Sequence, residues 1–236
     1  MAYKHSTYAM KKIILSIVLL CTICISVNAQ IMRAEELEEY AKERYGEKWA
    51  EAAANLGKEL SLDKNNSLTY IQVIDCGEKT KDQIYVMLNY WFTATFNDAN
   101  SVIKLNDKES GCIIAEGYVK NVAQHVGGMT AYDISIRPII KVDIKDKKIR
   151  VTYTIQGFEA MQAVGGGILG AMGGGAPSYR KDTWAIEKCY PFVEKDKHKK
   201  TSSKALVMAH AYSNVLMDKI EETVKNGLVG NETEEW

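Results

Sequence analysis

The sequence predicts an α+β fold: a two-layer sandwich in which an antiparallel meander sheet is packed by helices, with an extra N-terminal helix. Three observations predict it. Apolar residues alternate with polar ones over much of Val102 to Ile155, long runs with apolar residues at three- and four-residue spacing flank that stretch, and short turn signals separate its segments. Alternation buries one face of each strand, short turns make neighbouring strands antiparallel, and a helix with one apolar stripe must bury it against that sheet.

The chain opens on an export signal. Lys11 and Lys12 precede an apolar run, Ile13 to Ile25, that closes on Ser26-Val27-Asn28-Ala29 before Gln30. A short basic region, an apolar core of roughly 13 residues and small residues before the cut fit the secretory template, and the run is shorter than the ~20 residues that span a bilayer. Residues 1–29 are therefore read as a signal peptide, with Met10 a candidate start. Leu20 and Ile23 precede Cys21 and Cys24 where a lipid-attachment box wants Gly, Ala or Ser, which argues against a lipoprotein. The expected location is the periplasm of a Gram-negative bacterium.

Residues 30–66 read as a helical appendage. From Arg33 to Leu60, Leu37, Tyr40, Ala41, Tyr45, Trp49, Ala52, Ala53 and Leu56 recur at helical spacing, weakened at Gly46 and Gly57, before a turn at Asp63 to Ser67. An α+β domain occupies 67–227. Leu68 to Cys76 is a β-branched first strand, and Thr80 with Gln83 forms a capping box for a helix carrying Ile84, Leu88, Trp91 and Phe92 to about Asn97. Val102 to Leu105, Cys112 to Val119, Tyr132 to Ile144 and Ile149 to Ile155 read as four strands, with turns at Asn106 to Lys108 and Asp146 to Lys148. A glycine-rich insertion, 160–178, and a strand-like piece from Thr183 to Ile186 precede a closing helix. Ser202 is its expected cap and Gly227 its end. Residues 228–236 form an acidic tail.

Charge and cysteines narrow the function classes. The leader holds Lys4, Lys11 and Lys12 and no acid, so 30 basic against 30 acidic residues become 27 against 30 on cleavage, a net charge of −3 that offers nothing to nucleic acid. Cys76, Cys112 and Cys189 remain, so at most one disulfide can form, Cys112 with Cys189 being one pairing. Their spacing matches no zinc template.

No catalytic, cofactor-binding or metal-ligating set emerges. His125, His198 and His210 are far apart in sequence, with Asp218 two helical turns beyond His210; there is no HExxH and no GxSxG. Gly165 to Gly170 spells GxGxxG, but Gly166, Gly167 and Gly173 to Gly175 break the helix that a dinucleotide site requires. The same insertion carries no charge from Ala160 to Ser178. It holds Met161, Ile168, Leu169 and Met172, which together with the aromatics Trp91, Phe158 and Trp184 are the candidate ligand or partner contacts.

The exported leader, the helix bearing Tyr90-Trp91-Phe92, and the hairpin from Val102-Ile103-Lys104-Leu105 to Gly111-Cys112-Ile113-Ile114-Ala115-Glu116-Gly117 resemble an exported Bacteroidetes family. It is a domain of unknown function described as having a TATA-binding-protein-like (TBP-like) fold, and the resemblance covers about Leu68 to Ile155. It implies an envelope location and a helix-grip-like sheet flanked by helices, and it supplies no functional residues. The N-terminal helix and the glycine-rich insertion depart from the pattern.

The functional expectation is an exported, non-enzymatic binding or interaction module, without cofactor, whose partner is an apolar small ligand, a membrane surface or an envelope protein. An envelope enzyme with a site assembled from distant residues, or a structural part of an envelope assembly, are the alternatives.

Overall fold

The computed structural model describes residues 31–96, 102–127, 130–164, 172 and 178–227. Helices α1 (Ala34–Tyr45) and α2 (Trp49–Glu59) lead into strand β1 (Leu68–Asp75) and helix α3 (Lys81–Phe96). Eight further strands follow: β2 (Ile103–Asp107), β3 (Cys112–Glu116), β4 (Val119–Val126), β5 (Thr130–Ile136), β6 (Ile139–Lys145), β7 (Lys148–Ile155), β8 (Gly157–Val164) and β9 (Ser178–Ala185). A 3-10 turn, Ile186–Lys188, and helix α4 (Lys199–Asn226) close the order. Antiparallel sheets packed against helices make this the α+β class that the sequence predicts.

The strands form two sheets, ordered β1-β7-β6-β3-β2 and β4-β5-β8-β9. Three chain passages run from one sheet to the other: β3 into β4, β5 into β6, and β7 into β8. Because β7-β6-β3 are neighbours in the first sheet as β8-β5-β4 are in the second, the two sheets are halves of one surface creased along Gly117, Pro138 and Gln156. The crease is stitched rather than broken. Gly117 N–H donates to the Pro138 carbonyl at 2.9 Å, and Ile186 N–H donates to the Gln156 carbonyl at 3.3 Å. Proline has no N–H and biases its predecessor toward extended backbone, so Pro138 ends one ladder and starts the next. The predicted single strands Cys112 to Val119 and Tyr132 to Ile144 are each two strands for this reason. Side-chain alternation survives the bend, with Ile134, Ile136, Ile140, Val142 and Ile144 all buried, so periodicity alone conceals it.

The single predicted N-terminal helix is also two. Gly46 sits at φ +91°, its N–H bonded to the Lys42 carbonyl, and this left-handed residue ends α1 before α2 restarts at Trp49. Both helices bury Leu37, Ala41, Ala52, Ala53 and Leu56 in the same core as the sheets. The α3 capping box forms as predicted: Thr80 N–H donates to Gln83 Oε1 at 2.9 Å and Gln83 N–H to Thr80 Oγ1 at 3.3 Å.

Helix α4 packs on β1, β4 and β5 and also on α1, α2 and α3. From Thr201 to Met217 nearly every residue is therefore buried, including Ser202, Ser203 and Ser213. The helix's own backbone satisfies part of that polar burden: Ser203 Oγ donates to the Lys199 carbonyl at 2.6 Å and Ser213 Oγ to the His210 carbonyl at 2.7 Å. Ser202 is not the cap. His198 holds that position, and Ser202 Oγ donates to Asp196 Oδ2 at 2.5 Å.

At the third passage of the crease, a Cβ added to Gly157 would lie 2.6 Å from the Trp184 carbonyl oxygen, a backbone atom that cannot step aside. Gly157→Ala should therefore lower unfolding free energy by about 1–3 kcal/mol in urea titrations. An unchanged midpoint would show that the crease is slack.

Candidate functional site

The register of the second sheet fixes which side chains share a face. On the face toward α4, Phe158 lies opposite Ile136 and Trp184. The next row is Ala123, Ile134, Ala160 and Asp182, and the next His125, Tyr132, Gln162 and Arg180. Burial falls along these rows, from Ile136 and Phe158, fully buried, through half-buried Tyr132 and Gln162 to exposed Val164. Among the described residues, the sheet thus runs past the helix layer and ends free.

The boundary between the covered and the free part is an aromatic seal. His198 lies flat on Trp184, with ring centroids 4.2 Å apart and planes 10° apart, while Tyr132 meets His198 edge-on at 5.2 Å. Such ring contacts contribute about 0.5–1.5 kcal/mol each beyond the area they bury. Asp196 positions His198. Its carboxylate accepts from Tyr190 N–H at 3.0 Å, His198 N–H at 2.7 Å and Ser202 Oγ. Burial pushes that carboxyl up, but the bonds from Ser202, Tyr190 and His198 outweigh it and hold the group below its ordinary value.

On the opposite face, Val126, Ala131, Ala163 and Tyr179 form one row and Gln124, Asp133, Met161 and Lys181 the next. Val126 and Tyr179 are 63% and 71% exposed. Closer to the crease the surface turns polar. Glu159 is paired by Arg137 at 2.8 Å and Lys181 at 3.0 Å, and the Arg137 guanidinium covers the Tyr118 ring at 4.4 Å. The free end therefore exposes apolar side chains on both faces, Val126, Met161 and Tyr179 outside and Val164 inside, with Arg180 and Lys181 beside them on β9.

The predicted contact residues do not converge on one point. Phe158 and Trp184 pair across β8 and β9 and face inward, whereas Met161 is exposed on the outer face and Met172 is exposed. Trp91 stands apart on α3, edge-on to Phe92 at 5.0 Å and Phe96 at 6.0 Å, as core. Ile168 and Leu169 lie outside the described residues. Sequence reasoning missed Val126, Tyr179 and the ring contacts of His198. Strands β4–β5 and β8–β9 lie side by side through the pairing of β5 with β8, and the glycines that follow β4 and β8 in the sequence were the available signal.

A second polar cluster lies in the interior. His210 Nδ1 is 3.1 Å from Tyr70 Oη, its ring packs on Tyr45 at 5.3 Å, and Asn214 Nδ2 donates to Tyr45 Oη at 2.7 Å. Burial, reinforced by Arg44, pushes His210 down to about 4, so it is neutral at pH 7. Asp218 is exposed on α4 and does not approach it. A histidine set against phenols lacks the carboxylate partner of a general base.

Among the described residues, no three His, Cys, Asp or Glu side chains are placed to hold a metal ion. Cys76, Cys112 and Cys189 are all free, so Cys112 and Cys189 do not pair: Cys112 is half-exposed on β3, and Cys189 is buried beyond β9. A shallow cleft of about 360 Å³ is lined by Asp75, Cys76, Gly77, Lys79 and Lys225. Burial pushes the Cys76 thiol up despite Lys79, which is opposite to the tuning of a reactive thiolate.

Residues 70–158 match the family model described as a domain of unknown function (DUF4468) with TBP-like fold, which bears out the resemblance read from the sequence. A solved TBP-like protein from Parabacteroides distasonis is similar at TM-score 0.44 and 11% identity, with 69% of this chain and 95% of that chain covered. A DUF4468 family protein from Bacteroides ovatus is similar at TM-score 0.41 and 12% identity, with 68% of this chain and 87% of that chain covered. No curated protein matches.

The depressed His210 makes a signed prediction. An unfolded histidine binds its proton near pH 6.5 and the folded one only near 4, so between these values the unfolded state holds more protons. Stability should be complete above pH 6.5 and fall as pH drops toward 4. Allowing for partial exposure, the loss is about 2 kcal/mol. Urea midpoints across this window should slope less in His210→Gln, and equal slopes would refute the assignment.

Proposed function

We propose that the chain is an exported, non-enzymatic envelope module that attaches to a membrane surface through the free end of its second sheet. The observation that carries this reading is the exposure of apolar side chains on both faces of that end. Val126, Met161 and Tyr179 lie outside and Val164 inside. A protein partner ordinarily covers one face of a sheet, whereas the boundary between headgroups and acyl chains surrounds whatever enters it.

The chemistry of the hairpin fits that environment. Ala160 to Ser178 is uncharged, and Tyr179-Arg180-Lys181 follows at once. Apolar residues flanked by an aromatic and by basic side chains are the composition of interfacial anchors. Full burial of a Val- or Met-sized side chain contributes about 1.5–3 kcal/mol, and each basic residue near an anionic surface about 1 kcal/mol. Several side chains together reach reversible binding without a spanning segment. No helix among the described residues is long and apolar enough to cross a membrane. The leader supplies the export half of the reading.

Vesicle flotation tests it. The chain from Gln30 onward should float with phosphatidylethanolamine–phosphatidylglycerol vesicles, and Val126→Asp combined with Tyr179→Ser should weaken flotation by roughly tenfold or more, given the cost of an acid in lipid. Failure of the parent chain to float would sink the membrane reading. An extractable apolar species in native mass spectra of that non-floating chain would replace it with ligand carriage.

A further inference from the structure

Four strands stand at sheet edges: β1, β2, β4 and β9. An open edge presents unpaired N–H and C=O groups, and proteins blunt it with charge, bulges or brevity. Three of these edges are blunted. β9 carries Arg180, Lys181 and Asp182. β4 carries Lys120, a positive φ at Asn121 and a register break between Val119 and Ala123. β2 has only five residues and breaks register between Ile103 and Leu105.

The edge of β1 has none of these defences. Its eight residues pair with β7 without interruption, hold no glycine or proline, and carry no charge before Asp75. Ile71 and Val73 are 64% and 65% exposed on its outward face. Among the described residues, backbone pairing on the free side is confined to its start, where Leu62 bridges Leu68 and Asp63 accepts from Thr69 Oγ1 at 2.8 Å, while on the inner face Gln72 Nε2 donates to Glu221 Oε2 at 2.8 Å.

We infer that β1 pairs with β1 of a second copy of this chain, antiparallel about a two-fold axis, so that two five-stranded sheets become one of ten strands. A two-fold interface requires a patch complementary to itself, and β1 has that pattern. Centring the pair on Gln72 sets Ile71 opposite Val73 of the partner subunit and, by symmetry, Val73 opposite Ile71 of the partner subunit. Tyr70 then meets Ile74 of the partner subunit, and Asp75 meets Thr69 of the partner subunit. No two charges of the paired β1 strands oppose each other, and four β-branched side chains close over the axis on the outer face, the kind of cross-strand pairing that stabilises sheets. This inference does not rest on the membrane reading, because β1 belongs to the other sheet.

Sedimentation velocity on the exported chain, with two sets of variants, decides it. The parent chain should be a dimer. Ile71→Lys with Val73→Lys should raise the dimer dissociation constant at least tenfold, while Val126→Asp leaves it unchanged. In a Cys112→Ser background, Gln72→Cys should form an intersubunit disulfide on mild oxidation, because directly opposed residues lie within ~5.5 Å, inside disulfide reach. Thr69→Cys should not. A parent chain still monomeric at roughly 100 µM, where even weak specific contacts register, overturns the proposal. So does a dimer that survives both lysines, or a crosslink at Thr69→Cys rather than Gln72→Cys. If the lysine variant does not fold, the crosslink comparison stands as the test.

Discussion

Helix α4 has almost no solvent face from Thr201 to Met217, and the rest of the molecule is arranged to keep it so. A creased sheet covers one side and α1 and α2 cover the other. Such a helix cannot be held by an apolar stripe alone, which explains its composition: Ala205, Ala209 and Ala211 admit close neighbours, and buried serines return their hydroxyls to the helix backbone. The crease follows from the same need, since a flat sheet meets a cylinder along one line and a folded sheet meets it along two.

Charges near the core are placed where they can be paired. Glu38 on α1 is reached by Lys204 on α4 at 2.6 Å and by Lys42 at 2.8 Å. Burial pushes its carboxyl up, yet these two lysines hold it below its ordinary value. Asp196 does the equivalent work at the start of α4 through three hydrogen bonds. Glu38 joins two helices that are far apart in sequence, whereas Asp196 ties its own near neighbours Tyr190, His198 and Ser202 together, and both are bonded well enough to offset their partial burial.

Much of the fold was legible, and the losses have physical causes. Period-two alternation located Ile134 to Ile144 and Ile149 to Ile155 because one face of each strand is fully buried. The bend at Arg137-Pro138 was invisible because it preserves which face points inward. β9 was shortened to Thr183 to Ile186 because residues 178–183 are exposed on both faces and leave no alternation to read. The break at Gly46 was readable as a weak point but not as a stop, because a glycine ends a helix only when the next segment packs elsewhere. The site was least legible: Trp184 was singled out as an aromatic, whereas the ring that seals it, His198, stands among the lysines of Lys195 to Lys200 and carries no apolar pattern to mark it.

The main packing partner of α1 and α2 is α4, which is made well after them. Leu37, Ala41, Ala53 and Leu56 find their cover largely on residues after Lys199, with Tyr45 tied to Asn214 and Glu38 to Lys204. A ribosome-bound chain therefore cannot bury the apolar faces of α1 and α2 until α4 has emerged. In a polypeptide ordered in this way, burial of the first two helices is delayed until a distant segment has been made.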